Sequence, residues 1–366
     1  MPLFHNGYIG ALLNTFTYVA WYWHILIFIG VIFITLALHE LTHFLVFVLM
    51  GYENDMLIVF LFCFYKHQGK WRLKIDPKLM ILGGGLVWPD LGVIDNNEDF
   101  EKARKAMYTS LLSAPLFTAI SGVLPLLIGL LFLHKTFIIP IGVYLFIVSM
   151  FYTYVSTLES GEIVGDFKAY KRVKSDVVFS QLLLLQYTDI SNYQYRYLET
   201  YLKENTYYTK VTRAFFAYLL EKNIFYEDEI DMFLYEKVLS IVNNPYQFQN
   251  FLSNEEGIIL AQHIIFFLHK ANHQADSLMF YDTFKKHIET AKTKDVYKQY
   301  LIKQTAHLIK LSDESAYINN PKNMQTSLVS FIINHLPSVV EAELKKNNGF
   351  SLFPVTCSIE NGLNYI

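Results

Sequence analysis

The residues best suited to chemistry in this sequence are His39, Glu40 and His43, which form the pattern His-Glu-x-x-His. On an α-helix, residues four apart lie on one face and roughly 6 Å apart along the axis, so both imidazoles can reach one metal ion. Zinc binds histidine nitrogens at about 2.0–2.1 Å, and catalytic zinc usually has three protein ligands. Glu40, next to the first ligand, can accept a proton from the water that zinc makes acidic. The spacing therefore predicts a zinc site with Glu40 as general base.

This triplet lies in a segment of unusual composition. No Asp, Glu, Lys or Arg occurs from Met1 to His39, so Glu40 is the first charged side chain of the protein. A carboxylate at the centre of a membrane helix costs on the order of 2.5–3.5 kcal/mol, and two histidines beside it add to that cost. A metal ion that neutralises the cluster explains why such a cluster is tolerated.

The whole chain of 366 residues is rich in apolar side chains, at 53%, and only 17% of its residues are charged, against about 25% in typical globular domains. Apolar runs of 18 or more residues predict membrane helices. We predict such helices over residues 24–50, 108–133 and 137–158. Residues 4–20 are also apolar and form either an interfacial helix or a fourth span. The fold class predicted is an α-helical integral membrane protein with three membrane helices, or four.

The segment between the first two predicted spans has a different pattern. Met56–Tyr65 and Trp71–Ile75 are rich in β-branched and aromatic residues and flank the turn-prone His67–Lys70, which predicts a small β-hairpin. Leu79–Trp88 is apolar but too short to cross a bilayer, so we expect re-entrant or interfacial backbone there.

Lysine and arginine counts predict the orientation in the membrane. Residues 51–107 contain eight of these cations, whereas residues 134–136 contain one. We therefore expect residues 51–107 and the C-terminal region to be cytoplasmic, with the N-terminus outside for three spans and inside for four.

We divide the chain into a membrane region that contains the predicted zinc site, residues 1–175, and an all-α soluble domain, residues 176–366. The second region has an ordinary charge content and helical apolar spacing, as in Phe215, Leu219 and Leu220. Its predicted helices are 211–222, 227–242, 256–270, 279–291, 296–310 and 324–336. Its role cannot be read from its sequence.

Composition also excludes several classes of function. The net charge of −3 argues against nucleic-acid binding, and two cysteines are too few for a cysteine zinc site. We expect no cleaved signal peptide, since residues 1–30 lack its basic start. The isolated histidines His24, His134 and His67 are expected to be interfacial, satisfied within the helices or solvated.

Three elements of the sequence resemble the site-2 protease family of intramembrane zinc metalloproteases. The first is His39–His43 within an apolar helix. The second, Ile81–Val87, contains Gly-Gly-Gly-Leu-Val and is similar to the Gly-Gly-x-Val element of the family's membrane-associated β-hairpin, which implies such a hairpin beside the site here. The third, Ser113–Thr118, is similar to the family's Ala-Gly-Pro-x-x-Asn segment, with Ala114 in place of Gly and Thr118 in place of Asn. The resemblance covers roughly residues 24–175.

The resemblance also implies a third zinc ligand, an Asp near the cytoplasmic part of a later membrane helix, often followed by Gly. The best match is Asp166, where the glycine, Gly165, precedes the acid. A continuous helix would carry Asp166 past the membrane, so the chain must bend back before it. Glu159 and Glu162 are the alternative ligands.

The function implied is hydrolysis of peptide bonds in membrane-embedded or membrane-delivered peptides, by a multi-pass protein of a cell membrane. The partners implied are the peptide substrate, the lipid bilayer and a cytoplasmic partner of the helical domain. One alternative is a catalytically inactive zinc-binding scaffold that holds peptides without cleaving them. A transporter or channel with an intramembrane metal is a second alternative, which the lack of internal duplication disfavours.

Overall fold

The fold is taken from a computed structural model, which describes residues 16–17, 19–67, 69–75, 77, 85–132, 138–160, 163–188, 190–253, 255–291 and 295–318. The chain divides into two compact units. Unit 1 contains residues 1–92 and 98–180, and unit 2 contains residues 93–97 and 181–366. Our sequence-based division at residue 175 stays a prediction.

Unit 1 contains three long apolar helices: α1 (Trp21–Leu49), α2 (Asn97–Phe132) and α3 (Ile138–Val155). Among the described residues, α1 and α2 are long and apolar enough to cross a membrane, and α3 is apolar but shorter. Helix α2 begins eleven residues before the predicted span because its acidic first turn, with Glu98 and Asp99, suits a helix N-terminus.

The apolar side chains of α1 and α2 face outward. Only 28% of the most apolar 18 residues of each helix are buried. Leu26, Ile29, Ile120 and Leu131 are all more than half exposed. In water such surfaces would be unfavourable, since monomeric soluble proteins rarely expose large continuous apolar patches.

A four-stranded antiparallel sheet lies between α1 and α2 in the chain, with the strand order β3-β2-β1-β4. Its strands are β1 (Glu53–Val59), β2 (Phe62–His67), β3 (Lys70–Ile75) and β4 (Gly85–Asp90). The predicted hairpin turn near residues 67–70 joins β2 to β3.

Two expectations for this region are corrected. The single strand predicted over residues 56–65 is wrong, because the chain turns at Phe60, whose φ is 52°, and separates β1 from β2. The second half of Leu79–Trp88 is the sheet strand β4 rather than irregular backbone, and residues 78–84 lie outside the described residues.

After α3 the chain reverses direction. A pair of two-residue strands, β5 (Glu159–Ser160) and β6 (Ile163–Val164), leads into α4 (Asp166–Ser175) and α5 (Val177–Leu184). The expected bend before Asp166 is therefore present.

All the secondary structure in the described residues of unit 2 is helical. Its helices are α6 (Asn192–Glu204), α7 (Lys210–Tyr226), α8 (Met232–Val242), α9 (Pro245–Phe251), α10 (Glu255–Lys270), α11 (Gln274–Thr290), α12 (Asp295–Leu308) and α13 (Ser315–Ile318). Side-chain caps begin three of them: Ser191 accepts from Gln194 before α6, Thr209 from Thr212 before α7, and Asp231 from Leu234 before α8.

The core of unit 2 is formed by α7 and α10. Phe215, Leu219 and Leu220 are fully buried at 0% exposure, as their spacing predicts. The helix predicted over 227–242 begins only at Met232, because Asp231 caps it, and α6 and α9 were not predicted. The helix predicted over 324–336 lies outside the described residues.

Candidate metal centre

Three of the predicted site residues converge beside the C-terminal half of α1. Asp166 Oδ2 lies 2.9 Å from His39 Nε2 and 3.4 Å from His43 Nε2. One donor atom from each of the three residues lies within 4.8 Å of the others. The two imidazole rings are 5.0 Å apart between centroids and inclined at 78°. Two nitrogens and one carboxylate oxygen at this separation are a donor set that fits zinc.

The other nitrogen of each imidazole is held by a hydroxyl group of α2. His39 Nδ1 is 2.9 Å from Thr118 Oγ1, and His43 Nδ1 is 2.9 Å from Ser110 Oγ. With the Nε2 atoms as metal donors, each Nδ1–H donates to its hydroxyl oxygen, which fixes both the tautomer and the ring orientation. Both rings therefore present the same nitrogen to Asp166.

Helix α2 supplies these hydroxyls from one buried face. Ser110, Ala114 and Thr118 are four residues apart, and their exposures are 1%, 0% and 0%. This spacing in the uncharged part of the helix is a signal that could have identified Ser110, which our sequence reasoning missed. The small Ala114 between the two hydroxyls is buried without adding bulk.

Asp166 reaches the histidines because the chain folds back tightly on the end of α3. The Gly165 N–H donates to the Leu158 carbonyl at 2.9 Å, and the Phe167 N–H donates to the Ser156 carbonyl at 2.9 Å. A Cβ on Gly165 would lie 2.5 Å from the Ser156 oxygen, closer than side chains tolerate. The glycine that precedes the acid thus permits the close approach.

The environment of Asp166 favours its ionised form. Partial burial alone would raise the pKa of this carboxyl, but the imidazoles of His43 and His39 outweigh that effect and hold the pKa well below its ordinary value. A carboxylate is the form that binds a metal ion.

Of the two alternative ligands, Glu159 is engaged elsewhere. Its carboxylate accepts a hydrogen bond from Arg172 and lies 4.0 Å from Lys168. Glu162 lies outside the described residues. Among the described residues, the group of metal-binding side chains contains Asp166 and not Glu159.

Glu40 lies beside this cluster and against the sheet. Its exposure is 8%, equal to that of His39. A Cβ on Gly85, the first residue of β4, would lie 2.3 Å from Glu40 Cγ and 2.5 Å from the Ile58 oxygen. The Gly85 backbone N–H also forms a hydrogen bond to Glu40. Glycine at position 85 therefore allows the strand to approach the carboxylate closely.

Tyr152 of α3 is a second residue near the site that sequence reasoning missed. Its phenol is close enough to Glu40 to interact with the charge of the carboxylate. The chain contains 26 tyrosines, so no sequence pattern singles this one out.

The isolated histidines His24, His67 and His134 lie in different surroundings or outside the described residues. His24 Nε2 is 2.9 Å from the Phe16 carbonyl oxygen, and the Tyr144 hydroxyl is 3.0 Å from His24 Nδ1, so this ring is satisfied within unit 1. His67 ends β2, and His134 lies outside the described residues.

Comparison of the chain with models of known protein families, with curated proteins and with solved structures finds no match. The resemblance to site-2 proteases therefore rests on the sequence motifs.

Proposed function

We propose that this protein is a zinc-dependent intramembrane endopeptidase similar to the site-2 proteases. His39, His43 and Asp166 are the metal ligands, and Glu40 is the general base. The observation that carries the proposal is the convergence of two Nε2 atoms and Asp166 Oδ2 on one point beside a buried glutamate. Residues 127 positions apart in the chain supply these donors, so the convergence is not a consequence of the motif alone.

A membrane location is supported by the outward-facing apolar surfaces of α1 and α2. Side chains that are exposed and apolar over a whole helix are stable where the surrounding medium is hydrocarbon. We propose that α3, with 18 residues, is the third span, and that residues 4–20 decide between three and four. The Lys and Arg of residues 51–107 and the helical unit 2 then face the cytoplasm.

The chemistry assigns each side chain a separate task. Zinc, when bound, supplies Lewis acidity, which makes a water molecule acidic and polarises a peptide carbonyl. Glu40 accepts the proton of that water and can return it to the leaving amine. Ser110 and Thr118 keep the two imidazoles aligned through their Nδ1 atoms. Because the site is buried among apolar helices, the attraction between these charges is screened little by water.

The substrate we propose is an extended peptide segment within or delivered to the membrane. A helical segment must unwind first, since its carbonyls are occupied by intrahelical hydrogen bonds. Strand β4 is at the edge of the sheet and pairs only with β1 among the described strands. A peptide that adds to this edge lies next to Gly85 and therefore next to Glu40.

One observation favours the alternative function, a zinc-binding scaffold without proteolytic activity. Thr118 stands where the family has Asn, and its hydroxyl is already engaged by His39. The polar role of that Asn is therefore not carried by Thr118. In this alternative the metal site organises a peptide-binding surface and no bond is cleaved.

The deciding experiment compares wild type and Glu40→Gln in reconstituted membranes, with the zinc content of both measured. Candidate membrane peptides are supplied and cleavage products are identified by mass. We expect the variant to retain zinc and to lose at least about 100-fold in cleavage rate, because general-base catalysis contributes roughly 10²–10⁴-fold. Equal cleavage by both proteins excludes the mechanism. Zinc in both proteins with no cleavage by either supports the scaffold.

A further inference from the structure

Arg104 of α2 reaches the C-terminal end of α4. Its Nε donates to the Val173 carbonyl at 2.8 Å, and its Nη2 donates to the Lys174 carbonyl at 2.7 Å. Its Nη1 lies 3.0 Å and 3.3 Å from the two carboxylate oxygens of Glu101, on the same helix. Only 12% of the Arg104 side chain is exposed. The guanidinium is therefore held in one orientation, with donors facing both the carboxylate and the end of α4.

These contacts cap α4. The last carbonyls of a helix have no partner within the helix and carry partial negative charge, so a guanidinium there both satisfies and neutralises them. The Val173 carbonyl also accepts from Ser180 Oγ at 2.7 Å, and both residues have 0% exposure. The C-terminal end of α4 is thus held by one side chain from α2 and one from α5.

Helix α4 runs antiparallel along the first turns of α2. One turn after Arg104, the Tyr108 ring packs against the Tyr170 ring, with centroids 6.3 Å apart and planes inclined at 69°. As the contacts move forward on α2 from Arg104 to Tyr108, they move backward on α4 from Val173 to Tyr170. The next turn of α4 in this direction begins at Asp166, the first residue of the helix.

Helix α2 therefore contacts the supports of all three proposed metal ligands. Ser110 and Thr118 hold the two imidazoles by their Nδ1 atoms. Arg104 holds the helix on which the Asp166 carboxylate is mounted. One continuous helix thus relates the three ligands to one another.

The Arg104 contacts supply a constraint that the chain around Asp166 lacks. The backbone hydrogen bonds of Gly165 and Phe167 fix the point where α4 begins, but both lie within one residue of Asp166. A rotation of α4 by about 20° about its axis would move a side-chain tip at a radius of roughly 5 Å by roughly 2 Å. Metal–ligand distances tolerate only about 0.2 Å. An anchor at Val173, about 10.5 Å further along the axis, opposes such a rotation.

We propose that Arg104 is a positioning residue, which sets the Asp166 carboxylate for metal binding by fixing the direction and rotation of α4. The proposal rests on the ligands assigned in the proposed function, but not on cleavage of any peptide.

The test measures the zinc affinity of the full-length protein in detergent micelles by competition with a chelator, without substrate. Arg104→Met keeps the apolar stem and removes every donor. We expect a 10–100-fold loss of affinity, which is typical of groups that orient metal ligands. Arg104→Lys keeps the charge but has a smaller donor group, so its affinity should be intermediate. Lys102→Met is the matched control and should bind zinc normally, because the Lys102 ammonium lies 5.2 Å from the centre of the Tyr52 ring and not at α4.

A double variant shows whether Arg104 acts through Asp166. If it does, R104M/D166N should bind zinc within about twofold of Asp166→Asn alone, because the carboxylate to be positioned is already absent. If the two losses add, Arg104 only stabilises the fold in general, and the proposal is overturned.

Cobalt in place of zinc gives a second readout, because its visible absorption depends on the number and geometry of its ligands. We expect Arg104→Met to shift the spectrum toward that of Asp166→Asn, and Lys102→Met to keep the wild-type spectrum. Wild-type affinity and spectrum in Arg104→Met overturn the proposal. If thermal unfolding shows that Arg104→Met does not fold, Arg104→Lys takes its place, and an unchanged spectrum in that folded variant also overturns the proposal.

The outcomes separate the role of Arg104 from the proposed function. If Asp166→Asn loses zinc and Arg104→Met does not, only the role of Arg104 is overturned. If Asp166→Asn itself keeps the wild-type zinc affinity, the ligand assignment fails, and the role of Arg104 fails with it.

Discussion

Helices α1 and α10 are both apolar, yet they place their apolar side chains in opposite ways. In α1, 28% of the most apolar 18 residues are buried, whereas almost every described side chain from Gly257 to Leu268 of α10 is buried. A helix that is apolar all round is either a membrane span or the core of a domain. The same composition therefore forms the core of a domain in α10, whereas the exposed apolar surface of α1 supports the membrane location that we propose.

The buried polar groups of the two units differ in a parallel way. In unit 1 they converge: His39, His43 and Asp166 point to one position. Among the described residues of unit 2 no group of three possible metal ligands converges, and some buried groups are paired with a neighbour, as where the Gln262 amide donates to Thr305 Oγ1 at 2.9 Å. Local pairing satisfies a buried group and needs no ligand. A metal-dependent hydrolase needs several metal ligands at one point and a proton acceptor beside them, which is how His39, His43, Asp166 and Glu40 are arranged.

The largest expected effect tests whether lipid surrounds the apolar helices of unit 1 while water surrounds the surface of unit 2. Leu124 of α2 is 53% exposed and lies near the middle of the charge-free run. If lipid surrounds it, Leu124→Arg should destabilise the inserted protein by about 2.5–3.5 kcal/mol. Thermal unfolding in reconstituted bilayers measures this. Tyr207→Arg, at an 84% exposed position of unit 2, is the matched control and should have little effect. An equally harmless Leu124→Arg would contradict a lipid-facing α2.

The next largest effect tests the convergence of donors. Asp166→Asn keeps the shape of the side chain and removes its charge, so we expect zinc affinity to fall by more than about 100-fold, beyond the 10–100-fold typical of groups that only orient ligands. Glu159→Gln, at the rival position bound to Arg172, should leave zinc affinity unchanged. Competition with a chelator measures both affinities. If Glu159→Gln lowers the zinc affinity and Asp166→Asn does not, Glu159 is the third ligand.

A smaller effect distinguishes a residue that orients a metal ligand from a residue that binds the metal. Thr118→Val keeps the volume but removes the acceptor for His39 Nδ1, and we expect a 10–100-fold loss in zinc affinity. Thr118→Ser retains the hydroxyl and should recover most of that loss, which a purely structural role for the methyl group would not allow. If Val and Ser behave alike, the hydrogen bond to His39 contributes nothing.

The smallest effect concerns stability in unit 2. Burial raises the pKa of Glu221 in α7 from 4.5 to about 8, so the folded state holds this proton to a higher pH than the unfolded state. Stability from this residue therefore falls as pH rises from about 4.5 to about 8 and is constant above that. Glu221→Gln should flatten the dependence and stabilise unit 2 by on the order of 1–2 kcal/mol at about pH 8.

Hydrogen exchange of the α7 amides in the full-length protein, at about pH 5 and about pH 9, measures this change. Glu236→Gln on the exposed side of α8 is the control and should leave the dependence intact. Zinc content should not change in either variant. Unaltered pH dependence in Glu221→Gln would show that the Glu221 carboxyl is not the source.

Local patterns predicted the parts of this protein that depend on neighbouring residues. Sequence patterns were enough to predict the shared helical face of His39 and His43, the two longest apolar helices, the β2–β3 turn and the buried face of α7. Helix ends were predicted less well, as at α8, since a cap such as Asp231 is decided by backbone geometry.

The sequence by itself determined that two imidazoles and a carboxylate share an apolar helix, because helical geometry places residues four apart on one face. Only the tertiary structure decided that Asp166 joins His39 and His43, that Ser110 and Thr118 align the rings, and that β4 lies against Glu40. Those contacts join elements distant in the chain, and packing rather than local propensity brings them together. A periodic pattern in one sequence relates only residues that are close together in the chain, so it does not predict these contacts.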